Sequence, residues 1–189
     1  MMKRDEALRV LAKHVWDDIV VATYTSAFDW LVIRPHPLNY VSVGAMGLAS
    51  SHALGLAVGR PNLRVVVLDG DGSLLMNLPT LVTIAEVAPA NLVYFVSENG
   101  TYEANGSHPI PGSSRIDFGA MARGAGWTRV HRYSALDVFS EELPSVLAQQ
   151  GPVFVSLRLE PGRKSPSNYE FIHSAEARDQ FRAHLAGVE

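Results

Sequence analysis

Residues 69–106 read DGDGSLLMNLPTLVTIAEVAPANLVYFVSENGTYEANG, and the fold follows from how this stretch continues the apolar run before it. Val65, Val66, Val67 and Leu68 have the β-branched composition and length of a strand buried on both faces. Gly70, Asp71, Gly72 and Ser73 close that strand with an acidic turn. Over 74–88 the apolar positions Leu74, Leu75, Leu78, Leu81, Val82, Ile84, Ala85 and Ala88 recur at helical spacing, with Ser73 placed to cap the first turn. Pro79 lies near enough to the helix start to be tolerated with a local adjustment. Leu92, Val93, Tyr94, Phe95 and Val96 form a second buried strand. A strand–helix–strand unit of this length is parallel and right-handed. Both strands therefore end at one sheet edge, which makes Asp71 and Asn99 neighbours.

An Asp and an Asn at adjacent strand ends, with backbone carbonyls in the glycine turn that follows, make an oxygen-donor set. Donors of this kind, few in number and leaving positions open for phosphate and water, suit Mg²⁺. A diphosphate at the same point would meet the backbone N–H groups of Gly72 and Ser73 at a helix N-terminus.

Upstream, residues 5–18 place Ala7, Leu8, Leu11, Ala12 and Val15 on one face of an amphipathic packing helix. Residues 19–22 read as a first strand, ending at Thr23-Tyr24-Thr25-Ser26. The hydroxyls of Thr25 and Ser26 are placed to cap a helix beginning near Ala27. Arg34-Pro35-His36-Pro37 is a loop, because each proline disfavours helix in its predecessor. There Arg34 and His36 are either ordinary solvated side chains or readers of an anionic substrate. Residues 39–43 read as a strand, and Gly44-Ala45-Met46-Gly47 turns it into a helix over 48–58 whose small residues permit close packing.

Downstream, the loop over 98–114 is long and rich in Gly, Pro and polar residues, which in a compact domain marks function or mobility. Tyr102, Glu103, Asn105 and His108 are its candidates for facing a ligand. A helix over 118–125, a strand over 127–131, a helix over 135–149 and a strand over 153–159 follow. After a break at Gly162-Arg163-Lys164-Ser165-Pro166 comes a helix over 174–185. This alternation predicts an α/β fold, a doubly wound, mostly parallel sheet with helices on both faces, in one domain spanning 1–189.

Bulk properties narrow the function. The net charge of −3 and pI near 6.2 lack the basic excess of a nucleic-acid footprint. The 189 residues contain no cysteine, which removes disulfides and thiolate metal sites. No apolar run has the length of a membrane span, and no signal-peptide core follows the charged start, so a cytoplasmic protein is expected. A calcium loop beginning at Asp69 fails, because its sixth and twelfth positions are Leu74 and Thr80. Neither a Walker A sequence nor a Gly-x-Ser-x-Gly elbow is present.

Gly70-Asp71-Gly72, followed after 25 residues by Glu98-Asn99-Gly100-Thr101-Tyr102, resembles the thiamine diphosphate fingerprint of 2-oxo acid decarboxylases and their relatives. The resemblance implies that Asp71, Asn99 and the carbonyl of Thr101 hold Mg²⁺, with Gly70, Gly72, Ser73 and Tyr102 beside the cofactor and Thr25 or Ser26 on its diphosphate. Glu98 stands where the family has a first Asn, a position that is not the metal ligand. The segment GAMGLASSHALGLAVG is similar to the family's second signature. By that likeness the Gly44 carbonyl faces the aminopyrimidine and Met46 wedges the cofactor into a bent form, although Met also serves as ordinary core filling. His36, Glu103 and His108 are the candidate catalytic side chains.

Residues 19–160 are similar to the short, separately encoded β chains of sulfopyruvate and phosphonopyruvate decarboxylases, through Gly-x-Met-Gly-Leu-Ala-Ser, Val-Val-Val-Leu-Asp-Gly-Asp-Gly-Ser-Leu-Leu-Met-Asn-Leu and Asn-Gly-x-Tyr-Glu. The implied activity is decarboxylation of a small acidic 2-oxo acid to an aldehyde. A carboligase of the acetolactate synthase type, or a cofactor-binding subunit without catalysis, are the alternatives. The implied partner is an α subunit carrying the pyrimidine-binding domain and its activating glutamate. The active site is expected at their shared interface.

Overall fold

The computed structural model describes residues 1–162 and 165–188. Arg163 and Lys164, in the expected break after the last strand, lie outside the described residues. The strands are β1 Ile19–Ala22, β2 Asn39–Tyr40, β3 Val65–Gly70, β4 Leu92–Glu98, β5 Thr101–Tyr102, β6 His108–Pro109, β7 Arg129–Tyr133 and β8 Val153–Arg158. Six of them form one parallel sheet in the order β2-β1-β3-β4-β8-β7, and β5 and β6 form a separate antiparallel hairpin. The helices are α1 Arg4–Ala12, α2 Tyr24–Ile33, α3 Ala49–Gly59, α4 Asp71–Leu75, α5 Thr80–Val87, α6 Phe118–Gly124, α7 Leu136–Leu147, α8 Tyr169–His173 and α9 Ala175–Ala186.

Alternation along the strands sorts the core into two layers. Val20, Val66, Phe95 and Val155 face Leu8 and Leu11 of α1, Phe28 and Trp30 of α2, Phe139 and Leu143 of α7 and Ile172 of α8. Ile19, Val67, Tyr94 and Phe154 face Ala53 of α3, Leu74 of α4, Leu81 and Ile84 of α5, Phe118 of α6 and Phe181 of α9. The doubly wound α/β architecture expected from the alternation is thus present, with every strand of the main sheet parallel.

Several elements differ from the sequence expectation. Helix α1 ends at Ala12 rather than 18, and α2 begins at Tyr24 rather than near Ala27, so that Thr25 and Ser26 lie inside it rather than capping it. Strand β7 is shifted to Arg129–Tyr133, and α8 has no counterpart in that expectation. The helix expected over 74–88 is broken into α4 and α5, because Pro79 has no N–H to continue the first helix and instead begins the second with φ −57°. Ser73 lies inside α4 rather than capping it. The strand expected over 39–43 pairs only at Asn39 and Tyr40. The loop over 98–114 is partly ordered by the β5–β6 hairpin and a 3-10 turn, Glu103–Asn105.

The strand order places a switch point between β1 and β3: the chain leaves β1 toward β2 on one side and returns to build β3 on the other. In open α/β sheets the crevice beyond the carboxyl ends of the strands at such a point is where ligands bind.

Candidate functional site

A small hollow of about 50 Å³ opens at that crevice. The segment after β1 contributes Thr23, Thr25 and Ser26; the turn after β3 contributes Gly70, Asp71, Gly72 and Ser73; the end of β4 and the hairpin contribute Asn99, Thr101, Tyr102 and Glu103. Met46 closes one side. Gly44 does not line the hollow; its carbonyl accepts from the Oη of Tyr24, which does, at 3.4 Å. Residues as much as 80 positions apart in sequence are thereby gathered by three strand ends.

Asp71 is 2% exposed. Its Oδ1 accepts from Gly72 N and its Oδ2 from Gly100 N, each at 2.7 Å, so the carboxylate bridges the β3 and β4 turns. Each oxygen retains a lone pair for a cation. Burial pushes the Asp71 carboxyl up to about 6, against the pull of the Gly100 and Gly72 N–H groups and with Glu98 adding to the rise. An uncompensated carboxylate in this place is costly, and a divalent cation offsets that cost. Asn99 Oδ1 accepts from Thr101 N at 2.9 Å, a local turn that orients the amide. Gly100 and Tyr102 direct their carbonyls onto Ile110 N and Ser107 N, so the intervening Thr101 carbonyl points away from the hairpin partner.

A polar network behind the turn fixes it. Ser73 Oγ accepts from Gly47 N at 2.8 Å, and Asn77 Nδ2 donates to Gly47 O at 2.8 Å, which ties the Met46 turn to α4. Asp69, fully buried, accepts from Tyr94 Oη at 2.6 Å and from Gly70 N at 2.9 Å. Burial raises its carboxyl above the usual range, opposed by the Ser73 and Tyr94 hydroxyls. Ser73 is therefore occupied as a link between two turns, and the Gly72 N–H is engaged by Asp71 rather than presented to a phosphate.

Of the candidate catalytic residues, His36 is not brought to the hollow. It precedes β2 and so sits at the amino-terminal edge of the parallel sheet, 3.9 Å from Asp17 and edge-on to His184. Arg34 is at the same edge, donating to Val15 O and Trp16 O. His108 is exposed on β6 and lines none of the hollow, and Asn105 is exposed in the turn before it. Glu103 does line it, but its carboxylate accepts from Arg4 and from Gly162 N, which places it in the wall rather than over the opening. Glu98 points to the opposite side of β4 and is buried there, accepting from Ser156 Oγ with Arg132 and Arg158 at 3.7 and 3.6 Å.

Thr23 and Arg4 are among the wall residues that escaped the sequence reading. Thr23 is 4% exposed, lines the hollow, and its Oγ1 has no hydrogen-bond partner among the described residues. Its position as the first residue beyond β1 was the available signal. Arg4, the first residue of α1, had none. The orphaned Thr23 hydroxyl, the acid–amide–carbonyl set and the neighbouring Thr25 and Ser26 fit a magnesium diphosphate group.

An open parallel sheet with an oxygen-donor pair and hydroxyls at its switch point defines an α/β protein built to hold a phosphorylated cofactor. The chain belongs to the thiamine pyrophosphate enzyme family: residues 21–157 match the C-terminal TPP binding domain. It is 37% identical over 176 residues to a phosphonopyruvate decarboxylase of Streptomyces viridochromogenes, covering 93% of this chain and 44% of that protein. It is 36% identical over 165 residues to sulfopyruvate decarboxylase subunit beta of Methanothermobacter thermautotrophicus, covering 86% of this chain and 84% of that one. The chain thus spans less than half of the Streptomyces relative and most of the archaeal subunit. An X-ray structure of a Mycobacterium smegmatis protein, assigned as a thiamin diphosphate-dependent enzyme, matches with a TM-score of 0.73 at 26% identity, over 85% of this chain and 32% of the other. Among the described residues no helix is long and apolar enough to cross a membrane.

Proposed function

We propose that this chain is the β subunit of a thiamine diphosphate- and Mg²⁺-dependent decarboxylase acting on a small acidic 2-oxo acid. The observation that carries the reading is the meeting of Asp71, Asn99, Thr101 and the hydroxyls of Thr23, Thr25 and Ser26 around one hollow. Thiamine diphosphate, when bound, supplies a nucleophilic ring carbon and an electron sink for loss of CO₂. Asp71, Asn99 and the Thr101 carbonyl would hold the cation, and the three hydroxyls would donate to the diphosphate oxygens. Met46, anchored through Gly47 to Ser73 and Asn77, would support the cofactor from the side. The Gly44 carbonyl, in a turn with φ +80° two residues before Met46, would orient the pyrimidine.

The relatives support this substrate class and partner. Phosphonopyruvate and sulfopyruvate are both three-carbon 2-oxo acids with a second acidic group. The archaeal relative is named a subunit, and the match covers 44% of the longer Streptomyces protein. An α subunit carrying the pyrimidine-binding domain and its glutamate would complete the site. Exposed Leu48, Val58, Val82 and Val87 on α3, α5 and their flanks offer apolar surface for such an interface.

The test is co-purification of the tagged chain with its partner, followed by CO₂ release from phosphonopyruvate and sulfopyruvate. Activity of the assembled pair, lost on chelation and restored by Mg²⁺ with thiamine diphosphate, is expected. Turnover of two 2-oxo acids into a joined product would favour carboligation instead, a reading supported by the 38% identity over 81 residues to an acetolactate synthase of Nicotiana tabacum. Inactivity with every acidic 2-oxo acid would overturn the substrate class.

A further inference from the structure

We propose that Arg4 is a positioning residue for this site, the centre of a buried lock that ties the amino-terminal helix and the segment after β8 to the turn following Thr101 and Tyr102. The Arg4 Nε donates to Asp29 Oδ2 on α2 at 2.6 Å, and Nη1 donates to Glu103 Oε2 directly after β5. The second oxygens of both acids hold the chain beyond β8: Asp29 Oδ1 accepts from Ser165 N at 2.9 Å and Glu103 Oε1 from Gly162 N at 3.2 Å. One guanidinium and two carboxylates thus join four segments. The three side chains are 6%, 3% and 5% exposed, so water cannot replace a missing partner.

The lock bears on the site through its place in sequence. Glu103 follows Tyr102, whose ring covers Gly72, and Thr101, whose carbonyl faces away from the hairpin partner. Holding Glu103 fixes the end of β5 against the Asp71 turn. A planar fork holds the two carboxylates from two separate nitrogens in fixed directions, whereas an ammonium has only one nitrogen from which to donate to both. The functional consequence rests on the reading of Asp71, Asn99 and Thr101 as the cation site, whereas the mechanical coupling does not.

Hydrogen exchange on the full chain without cofactor separates the two. Arg4→Met is expected to raise exchange of residues 100–107 by about tenfold or more relative to β3 and β4, and Arg4→Lys by less, since it keeps the charge without the fork. Arg64→Met is the control. Arg64 bonds both oxygens of Asp18, at 2.7 and 3.0 Å, at the opposite sheet edge; its loss is expected to lower the thermal midpoint and leave 100–107 unchanged. If Arg4→Met does not fold, Glu103→Gln is read in the same way. Calorimetric titration of the assembled protein with Mg²⁺ and thiamine diphosphate then compares wild type with Arg4→Lys, for which weaker binding is expected. Unchanged relative exchange at 100–107 in Arg4→Met, or equal opening in Arg64→Met, would overturn the lock. A wild-type assembly that binds no cofactor would overturn the functional reading and leave the exchange result standing.

Discussion

Gly72→Ala probes the packing over the acidic turn, and the sign of its effect depends on one ring. Gly72 is the second residue of α4. In a helix, replacing Gly by Ala normally stabilises by about 0.5–1 kcal/mol, because the unfolded chain has less freedom to lose. Here a Cβ would stand 2.5 Å from Tyr102 Cδ1, closer still to Cε1, and 3.2 Å from Ile110 Cγ2. Carbon atoms rest at about 3.5–4.0 Å, so the ring must retreat by roughly 1 Å. Overpacking of this kind costs about 1–3 kcal/mol. The net expectation for Gly72→Ala is therefore a loss of roughly 1–2 kcal/mol. In a Tyr102→Ala background the ring is gone and only Ile110 remains close, so the same substitution should be neutral or stabilising. Equilibrium urea unfolding of the four proteins gives the coupling, expected at about 1–3 kcal/mol. An equal effect in both backgrounds, or stabilisation by Gly72→Ala alone, would refute the placement of Tyr102 over the turn.

A folded Asp71 that titrates near 6 binds its proton more tightly than the unfolded chain does. Its contribution to the stability of the cation-free protein is full below about pH 4 and lost as pH rises through 6, about 3 kcal/mol for roughly two units. Urea midpoints measured across that window should fall with rising pH, with a shallower slope in Asp71→Asn. Mg²⁺ needs the ionised form, so its affinity should drop about tenfold per unit below about pH 6, read by calorimetry. Tyr94→Phe removes the hydroxyl that Asp69 accepts at 2.6 Å in a fully buried place, and unfolding should show a loss of about 1–3 kcal/mol. Mg²⁺ and thiamine diphosphate together, at a hundredfold excess over Kd, should stabilise the assembled protein by about 2.7 kcal/mol in a thermal scan, and either alone by much less. Asp71→Ala should abolish that shift; a retained shift would count against Asp71 as a cation ligand.

How much of this was legible in the sequence depended on how far apart the cooperating residues lie. Val65 to Glu98 is one strand–helix–strand unit, so the meeting of Asp71 and Asn99 follows from handedness alone, and the structure gathers them with Thr101 in one hollow. The helix break at Pro79 was visible, but its depth was not: whether a proline is absorbed in a first turn depends on where the helix starts, and α4 starts three residues earlier than the apolar pattern does. Ser73 has the composition of a cap, yet its hydroxyl meets Gly47, 26 positions back, because two chain segments cross at the sheet edge. His36 and Arg34 show a different failure, since loop composition says nothing about which end of a parallel sheet the loop occupies. The rule that a connection entering a strand lies at the edge opposite the site would have removed both. Arg4 is the hardest case. On an amphipathic helix an arginine beside Lys3 and Asp5 reads as solvated surface, and only the tertiary arrival of Asp29 and Glu103 makes burying it tolerable. Local chemistry therefore encodes what the site grips, whereas the long-range ion group that holds the site in shape is encoded by residues that each look unremarkable in their own stretch of sequence.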